Sequence, residues 1–483
     1  MKTSEPNLFP PRIWLLLAGA AATGILSIFS PALGAILFAA DYIAIVTVSP
    51  PVGFALYILL APFPLGILLH HHKFYISDAM AIIMAFWLLA QVWRRGLHTM
   101  WNTFIVRQYR APLVLLLGLS VLSLAVAWSR VGTSIKILEY VEFFVVVVAL
   151  VRYTAFNAPK VRNFYVIVLT VAVSLIAVYG LYQFMFQLGP SANIVDIHHV
   201  RATAFFGQPN VFGAFNDMTF PMLLALIVLG PDTLPKKWLT AALVLSALGV
   251  VISYSRGSWV ADAAAVFFMG VVVWLGRGRQ VMGRYAAYGV GIPILMFLVV
   301  IGLGRIDLSH TALSLAYRKN TLERLRTSVT AIFNPKGHYD TNQRLLIWHS
   351  AIEAIKSHPV LGVGLGNFHL YIKKFPPKGL GAIPPMAHNL YLEWGADLGV
   401  GGIIAGLWYE WRWIKTALGV LRMRAQQISR ERYAWVLGGF GTMVAFIVHD
   451  WVDFMIDHGV IVPLLLALGI VAAVVAEIRS EKV

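Results

Sequence analysis

Apolar runs of about 17–25 residues recur along the chain, the length a helix needs to cross a hydrocarbon core of roughly 30 Å. They fall at 13–30, 31–49, 51–69, 76–93, 111–128, 134–151, 163–187, 210–229, 238–254, 258–275, 285–303, 388–411, 433–450 and 459–477. Backbone facing lipid must satisfy its own hydrogen bonds, so each run predicts an α-helix. Only Ser30-Pro31 and Pro50-Pro51 separate the first three runs, and one of them has the spacing of a re-entrant segment. The pattern predicts an all-α polytopic membrane protein of about 12–14 transmembrane helices with one large extracytoplasmic, partly helical loop. About 11 spans with short loops occupy 1–303, the loop domain occupies 304–387, and about 3 further spans occupy 388–483.

Composition supports that class. Hydrophobic residues make up 59% of the 483 and charged residues 12%, about half the charge of an average soluble chain. Cysteine is absent, which excludes a disulfide framework and a thiolate metal site. Lys2 and Arg12 precede the first run and no A-x-A-like cleavage site follows it, so that run reads as a retained helix.

The net charge of +16 raises nucleic acid as a partner, but its distribution reads as topology. With the N-terminus placed in the cytoplasm, alternate turns carry Arg94, Arg95, Arg107 and Arg110; Arg152, Lys160 and Arg162; Lys236 and Lys237; Arg277, Arg279 and Arg284. Arg412, Lys415, Arg422, Arg424, Arg430 and Arg432 continue the series, and Arg479 and Lys482 close it at a cytoplasmic C-terminus. The opposite short loops carry only Lys73, Arg130, Lys136, Arg201 and Arg256. This is the positive-inside pattern, and it makes nucleic-acid binding unnecessary. The loop 304–387 is basic and extracytoplasmic in this topology, as long translocated loops are permitted to be. Two amphipathic helices are expected in it, on Leu322, Leu325, Val329 and Ile332 and on Leu345, Trp348, Ile352 and Ile355, the second ending at His358-Pro359. Gly362, Gly364 and Gly366 read as a flexible turn after it.

Of 14 histidines, only His98 falls on the cytoplasmic side of this topology. The run His70–His72 has only Asp78 nearby as a further ligand and reads as interfacial rather than metal-binding. Arg201, Asn210 and Arg256 sit in short outer turns, where an arginine either snorkels to headgroups or serves a site. His388 opens a run with Asn389, Glu393 and Asp397 at i, i+4 and i+8, a polar stripe that suits either a water-filled cavity or interhelical hydrogen bonds. For most of Glu139, Glu142, Asn216, Asp217, Asp262 and the group His449, Asp450 and Asp453, structural pairing is the default reading. Soluble-enzyme fingerprints and Asp-x-Asp metal pairs are missing.

Taken in order, Arg201…Gly207-Gln-Pro-Asn210, Tyr254-Ser-Arg256-Gly257, Arg344-Leu-Leu-Ile-Trp348, His358-Pro-Val-Leu-Gly-Val-Gly364-Leu-Gly-Asn367-Phe368 and Ala387-His388-Asn389-Leu-Tyr391-Leu-Glu393-Trp-Gly395…Gly399-Val-Gly401 resemble the O-antigen ligase and polymerase superfamily of bacterial envelope glycosyltransferases. The resemblance covers roughly 200–410. It implies a metal-independent inverting transferase without a cofactor, at the outer face of the inner membrane, taking a polyprenyl diphosphate-linked glycan as donor. Arg201 and Arg256 match the arginines thought to hold the diphosphate and His388 the proposed base. Arg344 is a weaker diphosphate candidate, and Asn210 and Asn389 complete the substrate-binding set. The acceptor is a glycan in a repeat-unit polymerase, lipid A-core in a ligase, or a protein hydroxyl in an O-oligosaccharyltransferase. A transporter or flippase for lipid-linked saccharide is the alternative of another class, kept open by Glu139, Glu142 and Asp217.

Overall fold

The structure, a computed structural model, describes residues 7–69, 72–96, 109–186, 188, 194–196, 199–277, 279–303, 339–424, 426–456 and 459–481. Expectations for His70, His71, His98, His198, His310, His338 and His458 lie outside these residues, as does the amphipathic helix expected on Leu322–Ile332.

The chain is a helical membrane protein. In order, the helices are α1 (Pro11–Phe29), α2 (Pro31–Val48), α3 (Pro50–Leu60), α4 (Ile76–Arg95), α5 (Arg110–Leu122), α6 (Arg130–Val141), α7 (Val148–Ala155) and α8 (Pro159–Phe186). They continue with α9 (Pro209–Leu229), α10 (Lys236–Ile252), α11 (Arg256–Arg277), α12 (Arg279–Ala286), α13 (Ile292–Leu303), α14 (Tyr339–Ser357) and α15 (Phe368–Lys374). The last are α16 (Leu390–Leu398), α17 (Val400–Leu421), α18 (Arg430–Asp450) and α19 (Val462–Ser480). Single π turns, Glu142–Val147 and Ala287–Gly291, join α6 to α7 and α12 to α13. Among the described residues the only strands are two short antiparallel hairpins, Gly66–Leu69 with His72–Tyr75 and Ile194–Asp196 with His199–Val200. Prolines open α1, α2, α3 and α9, where a missing N–H costs nothing.

Five described stretches are long and apolar enough to cross a membrane: α8, α9, α11, Gln280–Leu303 through the second π turn, and α19. Five further apolar helices, all before residue 126, are shorter. The run expected at 51–69 stops at Leu60, where Pro62 and Pro64 follow and the first hairpin takes over. The run expected at 388–411 is two helices, because Gly399 at φ +73° breaks it. Only glycine adopts that conformation cheaply. The break leaves α16 as a short helix ahead of α17.

α9 and α19 form the centre, with α9 buried along nearly its whole length. α18 packs on α9, α11 and α19, and α10 lies between α8 and α9. These contacts gather the starts of α9 and α11 and the end of α18 at one end of the bundle. α14 packs on α16 over the same end, through a small core of Ile347, Ala351, Ala354, Val363, Phe368 and Ala396. The buried face of α14 therefore differs from the expected one. Leu345 and Ile352 are exposed, while the small Ala351 and Ala354 let α14 approach α16 closely. α14 ends at Ser357, just before His358-Pro359, as the sequence predicts.

Candidate functional site

A cavity of about 330 Å³ opens where these helix ends meet, within the usual size range for a small-molecule site. Arg201, Asn210, Arg256, Arg344 and His388 line it together, although they come from segments far apart in the chain.

Each lining residue is placed by local structure. Asn210 lies in the first turn of α9, which Pro209 opens. Arg201 reaches from the preceding turn, with Nε donating to Ser253 O at 2.8 Å and Nη2 to Asn210 Oδ1 at 2.6 Å. Arg256 begins α11, whose first turn is capped as Ser255 Oγ accepts from Ser258 N at 3.4 Å. Two helix N-termini thus face the cavity, a favourable setting for an anion. Tyr254 and His388, both in the lining, hold φ values of +52° and +51°. Non-glycine residues in this region cost about 1–3 kcal/mol each, and such strain gathers at functional sites.

The hub is a residue the sequence reading left among the structurally paired groups. Asp453, in the turn after α18, is buried. Its Oδ1 lies 2.8 Å from His388 Nδ1, and its Oδ2 accepts from Asn210 Nδ2 at 2.7 Å and Arg344 Nη2 at 3.2 Å. Arg344 also donates to the Val452 carbonyl. Burial alone would raise the Asp453 carboxyl, but the His388 ring, the Arg344 guanidinium and the His449 ring outweigh it and hold the group well below the usual carboxylate range. An ionised Asp453 fixes Nδ1–H on His388, which turns the lone pair of Nε2 outward. The signal for Asp453 was present as an ionisable residue at the bilayer edge. Its partners lie 65, 109 and 243 residues away, so sequence spacing could not join them.

Asn389 is not in the lining. It caps α16, with Oδ1 accepting from Leu392 N at 2.9 Å, and its Nδ2 donates to Trp451 O at 2.8 Å. The polar stripe that continues from it is structural rather than cavity-lining. Glu393 accepts from Ala387 N, and Asp397 accepts from the N–H groups of Gly366, Asn367 and Phe368. These bonds tie down the Gly362–Gly366 turn, which is tightly packed instead of flexible: a Cβ on Gly362 would lie 2.2 Å from the Asp397 carbonyl carbon. Glu142 accepts from Tyr57 at 2.9 Å, and Lys136 pairs with Glu139.

Gly257 has a specific task. A Cβ there would lie 2.9 Å from both Cδ2 and Nε2 of His449, so only glycine lets that ring reach the Arg256 turn. His449 also lines the cavity.

The lining suits an anion better than a divalent cation. Its only carboxylate, Asp453, is shared among one histidine, one arginine and one asparagine, whereas hard divalent ions take clusters of oxygen ligands. No cluster of three metal-ligating side chains occurs among the described residues.

Comparison with curated proteins finds no match. A family model described as O-antigen ligase matches residues 241–407, the stretch that contains Arg256, Arg344 and His388. The match covers about a third of the chain, and over that stretch this helical membrane protein is similar to the O-antigen ligase family.

Proposed function

We propose that this protein is a metal-independent inverting glycosyltransferase. It moves a glycan from a polyprenyl diphosphate carrier to an acceptor hydroxyl at the outer face of the inner membrane. The observation that carries the reading is the convergence of Arg201, Arg256 and Arg344 with a carboxylate-oriented His388 around one cavity.

The chemistry follows from those groups. Nε2 of His388 takes the proton of the acceptor hydroxyl as its oxygen attacks the anomeric carbon. The bond from that carbon to the phosphate oxygen breaks from the opposite face, and both electrons stay on the diphosphate. Asp453 holds the ring and offsets the charge the imidazole gains, as the carboxylate does in a Ser-His-Asp triad. A diphosphate is already a competent leaving group, so the main demand is to stabilise its growing charge. Arginine does this with a permanent charge and a planar fork matched to phosphate oxygens. Fixed in a partly dry cavity, such donors are typically worth about 2.7–4 kcal/mol each in the transition state. Helix ends at α9 and α11 add to the same field.

The test is transfer by purified protein from a polyprenyl diphosphate-linked glycan in the presence of a chelator. Transfer with inversion at the anomeric carbon, read by NMR of the product, is the expected result. Retention, or activity lost in chelator and restored by a divalent ion, would overturn it. Lipid-linked repeat units alone yield chain growth from a polymerase, whereas a ligase needs lipid A-core.

A further inference from the structure

A second histidine–carboxylate pair, of which the histidine alone lines the cavity, is left unused by the transfer scheme above. His449, in the last turn of α18, is 1% exposed, and its Nδ1 lies 2.7 Å from Oδ2 of Asp217, which is fully buried in α9. With Nδ1 taken, Nε2 is the nitrogen left for the cavity. It lies against Gly257, beside Arg256. The two histidines thus sit in different surroundings. His388 stands under α14 with about a fifth of its side chain exposed, whereas His449 lies at the floor beside the arginine turn.

We propose that His449 is a second catalytic group, a general acid whose Nε2–H meets the departing diphosphate while Asp217 holds the ring from behind. The inference rests on the transfer reading above and assigns the leaving-group side of the same site. The acceptor O–H bond breaks and its proton goes to Nε2 of His388, while the acceptor oxygen bonds to the anomeric carbon. The old bond from that carbon to phosphate oxygen breaks with both electrons left on the oxygen. Nε2 of His449 delivers a proton to that oxygen and becomes neutral, its Nδ1–H still on Asp217. Afterwards His388 releases one proton to water and His449 takes one up, so charge and atoms balance over the cycle. General acid help of this kind is typically worth about 10²–10⁴-fold.

The test compares wild type, His449→Ala, His449→Gln and Asp217→Asn, purified in detergent, in two measurements. In the transfer assay, His449→Ala lowers kcat by about 10²-fold or more, with the acceptor KM within about threefold. His449→Gln keeps an N–H donor without a transferable proton and recovers about tenfold of that loss; Asp217→Asn falls between it and wild type. In the second measurement, binding of glycan-free polyprenyl diphosphate is compared with that of polyprenyl monophosphate. Wild type prefers the diphosphate, and in His449→Ala that preference is weaker, since Arg201, Arg256 and Arg344 remain. If His449→Ala fails to fold, His449→Gln carries both measurements. Wild-type transfer with unchanged kcat and unchanged product preference in the folded variants overturns the inference and leaves the transfer reading intact. If wild type transfers nothing, the transfer reading falls; the binding measurement then decides, with undiminished diphosphate preference in the variants counting against His449.

Discussion

The two ends of α18 use charge in opposite ways. At its start, Arg432 pairs with Glu477 and Glu481, and Glu477 also holds Arg162 at 2.6 Å, with both members of that pair about 2% exposed. These are permanent cations on carboxylates, closed on one another. At its far end, His449 and Asp453 meet His388, Asp217 and Arg344 around open space. Here the carboxylates' partners include two imidazoles, which can gain or lose a proton during a reaction. Ion pairs without a cavity fasten helices, while the imidazole–carboxylate pairs beside the cavity are the ones to which the proposed chemistry is assigned. The comparison predicts that damage at the cavity end shows in turnover and damage at the other end in folding.

His388→Ala should give the largest effect, a fall in kcat of about 10²–10⁴-fold in a protein that still folds. A turnover assay beside a thermal melt checks both halves. Glu477→Gln should do the reverse. It leaves the Arg162 guanidinium buried with its main partner neutralised, a change of about 3–5 kcal/mol in stability. Turnover per folded molecule should stay within about twofold of wild type. A variant of ordinary stability with poor turnover would erase the distinction between the ends.

Asp453→Asn belongs to the cavity end and should lower kcat by about 10²-fold or more, as the loss of an orienting carboxylate does elsewhere. It also carries a pH signature. The folded-state pKa of Asp453 is depressed, so its contribution to stability is complete above the ordinary value of about 3.9 and is lost as pH falls through the lower folded value. Melts of wild type and Asp453→Asn should therefore stay apart from neutral pH down to about pH 4 and draw together only below it, as pH falls toward the lower folded value. Parallel curves would show that the carboxylate gains nothing from its partners. The smallest effect is expected for Glu481→Gln, an exposed partner of Arg432, at about a degree in melting temperature and no change in turnover.

The helices were legible because apolar runs between basic turns leave little choice of structure in lipid, and α8, α9, α11 and α19 lie where those runs predict. The break at Gly399 was hidden because apolar residues continue through Val400 and Ile403; only the backbone angle separates α16 from α17. Arg201 and Arg256 stand out as charges in short turns between spans, and His388 as an imidazole that opens a run after the large loop. Asp453 did not, because its meaning lies in residues brought to it from α9, α14 and the turn before α16. Asn389 shows the converse. Its place beside His388 suggested substrate contact, but a residue at the start of a helix caps that helix first.

The central claim is that His388 and Asp453 act as one unit. A double-mutant cycle on kcat with His388→Ala, Asp453→Ala and the pair tests it most directly. If Asp453 works through the His388 ring, the double variant is no slower than His388→Ala alone, within about threefold. Losses that multiply, with the double variant slower by the product of the two single effects, would contradict the account.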